Sequence, residues 1–408
     1  MIQETSPPWL QILSPEWYLA RHPEVVESGL TPLEHYAQIG FRKKWSPHPL
    51  FDVKWYRRTY PDTASNRVNP IVQYFDQGAA NGRDPHPLFD TAWYLVRHPE
   101  LADSGENPLL HYIARHGTDW RPLVPALVEK IRRIQHDPAS WPPVTLPTAE
   151  AGIVISASGK LFRPLHANLR LIRRQGCALP IDVWHLPGEF TATQLTALRP
   201  HARFVEAAGT PFEGLSGHHE VHGFKAWMLS QSRFRKTLML DVNSFPLQDL
   251  AALFASSPGC LLWRDGPWGC CAEKTAFLRQ SLGLPVPDCE FESGQLLVDR
   301  GRPDVREALR LAAALNTLGS RLYACTYGDK ETYALACDLL GVPYAIAPEP
   351  QPFRHAESVK TNSGVLQPWL DGSPLFYHPL SDRELWWHYH PDWAALAEEA
   401  RTAEAACL

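Results

Sequence analysis

The chain has 408 residues, enough for two or three domains, and its 44% apolar and 20% charged composition excludes a disordered or collagen-like polymer. With 39 Lys and Arg against 44 Asp and Glu the net charge is −5, so there is no global basic field to hold nucleic acid, and no nucleic-acid partner is expected. No apolar run approaches the roughly 18–20 residues of a membrane span, and Met1 to Leu13 carries no basic residue ahead of an apolar stretch, so the expectation is a cytoplasmic protein with no transmembrane segment.

In chain order, the first pattern is a repeat. Trp17-Tyr18, Trp55-Tyr56 and Trp93-Tyr94 recur every 38 residues, as do Pro23, Pro61 and Pro99, Pro32, Pro70 and Pro108, and Tyr36, Tyr74 and Tyr112. Asp52 and Asp90 read as N-caps of a short helix that stops at Tyr60-Pro61 or His98-Pro99. Asn69-Pro70 and Asn107-Pro108 read as cap and first-turn proline of a second helix ending near Gly78 or Gly117. Such short helices need neighbours, so the paired aromatics are expected to form a repeated core, with a sugar-binding groove as the alternative. The Trp-Tyr, Asn-Pro-x-x-x-Tyr and Pro-Leu-Phe-Asp signatures resemble a module fused to bacterial glycosyltransferases. That resemblance leaves open whether the module binds a partner or an acceptor.

Three helical repeats are thus expected over 14–121 and a proline-rich linker over 122–148, marked by Pro138, Pro142, Pro143 and Pro147. From 149 to 408 the pattern changes to apolar runs alternating with amphipathic helices: Gly152 to Ala157 and Ile181 to Leu186 as strands, Leu161 to Gln175 as a helix. This is an α/β pattern with ligands expected at the carboxyl ends of the strands. No G-x-G-x-x-G or P-loop pattern follows a strand, which argues against dinucleotide oxidoreductases and P-loop enzymes. The eight cysteines contain no C-x-x-C pair and read as reduced thiols, and the adjacent Cys270 and Cys271 read as small buried residues rather than a redox or metal element.

The apolar run Thr237 to Leu240 ends abruptly in Asp241-Val242-Asn243-Ser244. Oxygen ligands at a strand end suit a hard divalent cation, although Asp-x-Asn alone also serves as a turn or cap. Downstream lie Trp263-Arg264-Asp265, Glu292-Ser293-Gly294-Gln295, Tyr327-Gly328-Asp329-Lys330-Glu331-Thr332 and Phe376-Tyr377-His378. Across about 150–380 this order resembles the fungal Golgi α-mannosyltransferases and their bacterial relatives, in which a strand ending in Asp-x-Asp precedes Glu-Ser-Gly-Gln and Gly-Asp-Lys-Glu-Thr.

The resemblance implies a GT-A-type fold, a Rossmann-like mixed sheet flanked by helices, following the all-α repeats. It also implies a retaining, metal-dependent glycosyltransferase that moves a hexose, mannose first among them, from a nucleotide sugar such as GDP-mannose to a glycan, protein or other hydroxyl acceptor, as in bacterial polysaccharide biosynthesis. Asp241, Asn243 and His378 fall on the positions for a divalent cation, Mn2+ or Mg2+. Ser156, Ala157 and Gly159 fall where the nucleoside is held, Lys225 and Lys330 near the phosphates, and Glu292, Ser293, Gly294, Gln295 and Asp329 beside the donor sugar, with Gly294 letting the backbone approach it closely. Asp329 also reads as the N-cap of the following helix. Asn243 stands where the family has a second Asp, which removes a charge from the cation site and keeps a second class of function open: a non-catalytic nucleotide-sugar or glycan-binding scaffold. The aromatic tail from Glu384 to Trp393 is expected to pack on the domain, with an acceptor platform as the alternative.

Overall fold

A computed structural model describes residues 7–65, 67–210, 222–255, 258–266, 272–353, 364–379, 389–390 and 392–407. It divides into two compact units, Met1–Lys130 and Ile131–Leu408.

The first unit is built of short helices. Asp52 accepts the N–H of Trp55 at 3.0 Å and Asp90 that of Trp93 at 2.8 Å, opening helices Val53–Thr59 and Thr91–Arg97. Each stops before its proline, at Tyr60 and His98. Asn69 and Asn107 accept the N–H groups of Ile71 and Leu109 at 3.2 and 3.0 Å, ahead of Pro70 and Pro108. Within each Trp-Tyr pair the tyrosine enters the core, and in the second pair Trp55 does too: Tyr18, Tyr56 and Tyr94 are buried, meeting Tyr36, Tyr74 and Tyr112 edge-on with centroids 5.7–6.0 Å apart. Trp17 and Trp93 are half-buried beneath Arg21 and Arg97.

The range expected as linker contains a helix, Val124–Gln135, and its proline-rich part is tied down rather than free. Trp141 is buried with its indole N–H on the carbonyl of Ile134 at 2.7 Å, and Arg310 donates to the carbonyl of Pro142 at 2.9 Å. Prolines break a helix, but their carbonyls remain acceptors, and a neighbouring guanidinium uses them.

The second unit is α/β. Its main sheet joins β1 (Ala149–Ser156), β2 (Ile181–His185), β3 (Arg203–Glu206), β4 (Phe234–Leu240), β6 (Cys260–Arg264), β7 (Phe291–Asp299) and β8 (Ala345–Ile346) in the order β3-β2-β1-β4-β7-β6-β8. β1 to β4 run parallel, and β7 is antiparallel to both its neighbours. Ile153, Ile155, Leu238, Leu240, Leu261 and Leu297 bury one face of the sheet under the helix Phe162–Arg174. A smaller antiparallel sheet orders β5 (Phe245–Pro246), β11 (Pro374–Pro379), β10 (Gly364–Pro368) and β9 (Gln351–Phe353).

The reversal of β7 positions the site. The carboxyl ends of β1, β4 and β6 and the amino end of β7 all reach the same edge, which puts Ser156, Asp241 and Asp265 alongside Glu292 to Gln295. The mixed sheet with flanking helices matches the fold class expected from sequence. Among the described residues no helix is long and apolar enough to cross a membrane.

Candidate active site

Asp241 leaves β4 in a tight turn: its N–H donates to the carbonyl of Gly294 at 2.7 Å, and its own carbonyl accepts from Ser244 at 3.0 Å. Asn168, buried on the helix behind, fixes this turn by donating to the carbonyls of Val242 at 3.1 Å and Ser244 at 3.0 Å. The turn runs directly into β5, which pairs with β11 through Tyr377↔Phe245, so the small sheet delivers His378 to the end of the main one. His378 Nε2 lies 3.3 Å from the Asn243 side-chain nitrogen. Gly294 is required here because a Cβ would sit 2.7 Å from the His378 ring.

The carboxylates and lysines interlock around this edge. Lys225, on the helix His222–Gln231, contacts Asp241 Oδ1 at 2.6 Å and the carbonyl of Ser293 at 3.4 Å. Lys330 contacts Asp265 at 2.6 Å and Glu292 at 3.5 Å. Glu292 Oε1 accepts the N–H groups of Ser293 and Gly294, each at 2.8 Å. Burial alone would raise the Glu292 carboxyl, but Lys330, His378, Lys225 and these N–H groups together hold it well below the usual range. Both lysines are pushed up, their facing carboxylates outweighing the cost of burial. Asp329 is raised by burial, only partly offset by Lys225, and Asp265 is likewise raised by burial.

Asp329 is not a helix cap. The helix begins at Thr332 with Glu331 at the cap position, and Glu331 makes no side-chain capping bond. The Asp329 carboxylate instead accepts from Ser293 Oγ at 3.1 Å and Tyr333 at 3.3 Å, with His222 at 3.8 Å. Gly328, at φ +72°, turns the chain so that this carboxylate points toward β7. It is the main-chain carbonyl of Asp329 that receives the Thr332 N–H, at 3.0 Å.

The remaining expected site residues lie on the same edge or next to it. Ser156 ends β1 in register with Trp184, Ala157 donates to the carbonyl of Trp184 at 3.0 Å, and Gly159 donates to that of Glu189 at 2.9 Å. Gln295 is buried opposite Leu240, its Oε1 3.3 Å from Ser244 Oγ and its Nε2 without a protein partner. His378 Nδ1 is also unpartnered. The motif around Asp265 is legible in the sequence without a site role attached to it, and Trp184 and Trp227 join the site only in the fold. Asp265 ends an apolar strand just as Asp241 does, and Trp184 packs edge-on against Trp227 at 5.9 Å with its indole N–H unpartnered. In the aromatic tail Tyr389 and Trp393 pack on Tyr377, while His388, Cys270 and Cys271 lie outside the described residues. Cys177, Cys260, Cys289, Cys337 and Cys407 are free thiols.

Among the described residues, two lysines at this edge face four carboxylates, Asp241, Asp265, Glu292 and Asp329, a surplus of two negative charges that are largely out of water. Such a surplus is costly until cationic charge arrives. Together with the oxygen and imidazole donors of Asp241, Asn243 and His378, it fits a divalent cation.

Residues 150–267 and 279–362 match the family described as "Mannosyltransferase putative". The α/β unit belongs to this family. Alpha-1,2-mannosyltransferase MNN2 of Saccharomyces cerevisiae is 24% identical over 247 residues, 48% of this chain and 41% of that protein, so the match spans about two fifths of its length. Among solved structures, the galactosyltransferase LgtC, determined with donor and acceptor sugar analogues, aligns over 62% of this chain and 95% of its own at 13% identity and TM-score 0.40. The glycosyltransferase GlyE of Streptococcus pneumoniae aligns over 62% and 64% at 14% identity and TM-score 0.35.

In this mannosyltransferase-family unit one buried acid stands apart from the charged edge. Glu331 accepts the Phe291 N–H at 2.8 Å, but its other oxygen has no partner, and burial pushes its carboxyl up to about 7. The folded state therefore holds this proton more tightly than the unfolded chain does. The associated stability is fully present below pH 4.5 and is lost as the pH rises through about 7. Glu331→Gln keeps the acceptor and removes the charge, so urea unfolding at pH 8 should show a gain on the order of 3 kcal/mol over wild type. At pH 4.5 little difference is expected, and an equal gain at both pH values would contradict this assignment.

Proposed function

We propose that the α/β unit is a GT-A-type, metal-dependent retaining glycosyltransferase that moves mannose from GDP-mannose to a hydroxyl of a glycan or other acceptor. The observation that carries this reading is the convergence, at one sheet edge, of two lysines, four carboxylates and His378 with a surplus of two negative charges, in a chain of mannosyltransferase family membership. Ser156, Ala157 and Gly159 receive the nucleoside, with the indole edges of Trp184 and Trp227 nearby. Asp241, Asn243 and His378 hold the cation, Lys225 and Lys330 face the diphosphate, and the Gly294 backbone lies beside the donor sugar. When bound, Mn2+ or Mg2+ supplies charge neutralisation of the departing diphosphate.

Glu292, Gln295 and Asp329 border the donor sugar. As the bond from the anomeric carbon to the phosphate oxygen breaks, positive charge grows on the ring, and Asp329, fixed by Ser293 and Tyr333, stabilises it. The acceptor oxygen bonds to the same face of the anomeric carbon and its proton passes to the leaving phosphate oxygen. The site of action is the cytoplasm, and the N-terminal helical unit serves acceptor or partner recruitment.

The test is a thermal-shift series of nucleoside diphosphates with Mn2+ and with chelator, followed by GDP-mannose turnover. A ligand at a hundred times its Kd adds roughly 2.7 kcal/mol, so GDP with Mn2+ should raise Tm by several degrees and chelator should abolish the shift. No shift with any nucleoside diphosphate would overturn the proposal. Binding without turnover would favour a nucleotide-sugar-binding scaffold, which the Asn243 substitution and its contact with His378 already suggest as the second reading.

A further inference from the structure

The N-terminal unit holds a cluster with no part in the chemistry proposed above. His98 Nδ1 lies 3.1 Å from Glu100 Oε1, His111 Nε2 lies 3.7 Å from the same oxygen, and one ligand atom from each residue falls within 4.8 Å of the others. For zinc bonds of 2.0–2.2 Å in tetrahedral geometry, neighbouring ligand atoms stand about 3.3 Å apart. We propose that His98, Glu100 and His111 form a zinc site of the transition-metal, nitrogen-and-carboxylate type, with water completing the shell.

A second, independent observation points into the cluster. His111 is 1% exposed, and its Nε2 has no hydrogen-bond partner, although a buried imidazole nitrogen ordinarily has one. Its other nitrogen is oriented by Tyr94 at 2.8 Å, as metal-ligating histidines are commonly oriented by a partner on the far nitrogen. When Nδ1–H donates to the Tyr94 oxygen, the Nε2 lone pair faces Glu100. Burial lowers the His111 pKa, which keeps the ring in the neutral form that binds metal. Glu100 is 57% exposed, so ions reach the cluster from solvent.

The repeat pattern supplies an internal comparison. His22, Glu24 and His35 stand two 38-residue periods before His98, Glu100 and His111, and Tyr60, Asp62 and Gln73 stand at the intermediate positions. In the first set Trp45 stacks on both imidazoles, with centroids 3.8 Å from His22 and 5.4 Å from His35, and the His22 to Glu24 distance widens to 4.0 Å. In the second, Arg83, one period after Trp45, pairs with Asp62 at 2.9 Å. In the third, the equivalent Arg121 pairs with Asp119 at 3.1 Å and lies over Trp120. The same ligand set thus occurs twice, once wedged by an indole and once drawn together.

The experiment titrates Zn2+ into untagged, chelator-stripped full-length protein by calorimetry, with Co2+ absorption as a geometric probe. Wild type should bind one zinc equivalent that Glu100→Gln and His98→Gln each weaken at least tenfold, with unchanged circular dichroism and unchanged nucleotide binding. Both substitutions are at partly or largely exposed positions, so they avoid the folding risk of replacing buried His111. The Asp241→Asn variant should retain this equivalent, separating it from any ion at the sheet edge. Zinc binding identical in wild type and in either cluster variant, or no zinc binding by wild type, would overturn the proposal.

Discussion

Asp241→Asn is expected to lower mannosyl transfer by about 10² to 10³-fold and to weaken Mn2+ binding, while the protein still unfolds in one cooperative step. The side chain is nearly isosteric, so the turn held by the main-chain bonds to Gly294 and Ser244 should persist. What changes is charge. Lys225 loses its 2.6 Å partner and the surplus that favours a divalent cation falls from two to one. Turnover in saturating Mn2+ and Mn2+ affinity by calorimetry should therefore fall together. Undiminished turnover of this variant in chelator would remove Asp241 from the cation site and the cation from the mechanism.

Asp329→Asn is expected to reduce kcat by about 10² to 10³-fold with little change in KM for GDP-mannose and only a small change in Tm. The carboxylate is buried and raised, so neutralising it also relieves desolvation, while an amide oxygen still accepts from Ser293. Asp329→Ala should cost both rate and stability, because Ser293 and Tyr333 then lose their acceptor. If the Asn variant turned over at the wild-type rate and the Ala variant only melted earlier, Asp329 would be a structural bracket.

The two aspartates also show what a sequence can and cannot convey here. An apolar run broken by Asp241 announces a strand end, because the burial of β4 stops where the polar residues begin, and the same logic exposes Asp265 at the end of β6. Asp329 reads locally as a cap since Asp-x-x-Thr satisfies helix donors. The structure spends its main-chain carbonyl on that task and turns the carboxylate to Ser293, which precedes it by 36 residues. Only the three-dimensional neighbour decides between two locally adequate uses of one side chain. The proline-rich stretch before β1 is a parallel case: its lack of helical period is real, yet Arg310, far along the chain, captures its carbonyls. The pairing of Lys330 with Asp265 is likewise invisible until β6 and β7 lie side by side.

The placement of His378 on one sheet and Asp241 and Asn243 at the end of another makes the site a joint as well as a cluster. The two sheets meet through the two-residue β5, and Leu375, Phe376 and Tyr377 of β11 are core residues on either side of it, so the Asn243 to His378 distance is set by the packing of both cores. Ligand binding that draws these residues together must then also lock the sheets, and the amides of Phe376 to His378 become reporters of that closure. Slowed hydrogen exchange along β11 would then register assembly of the site from the sheet that carries His378.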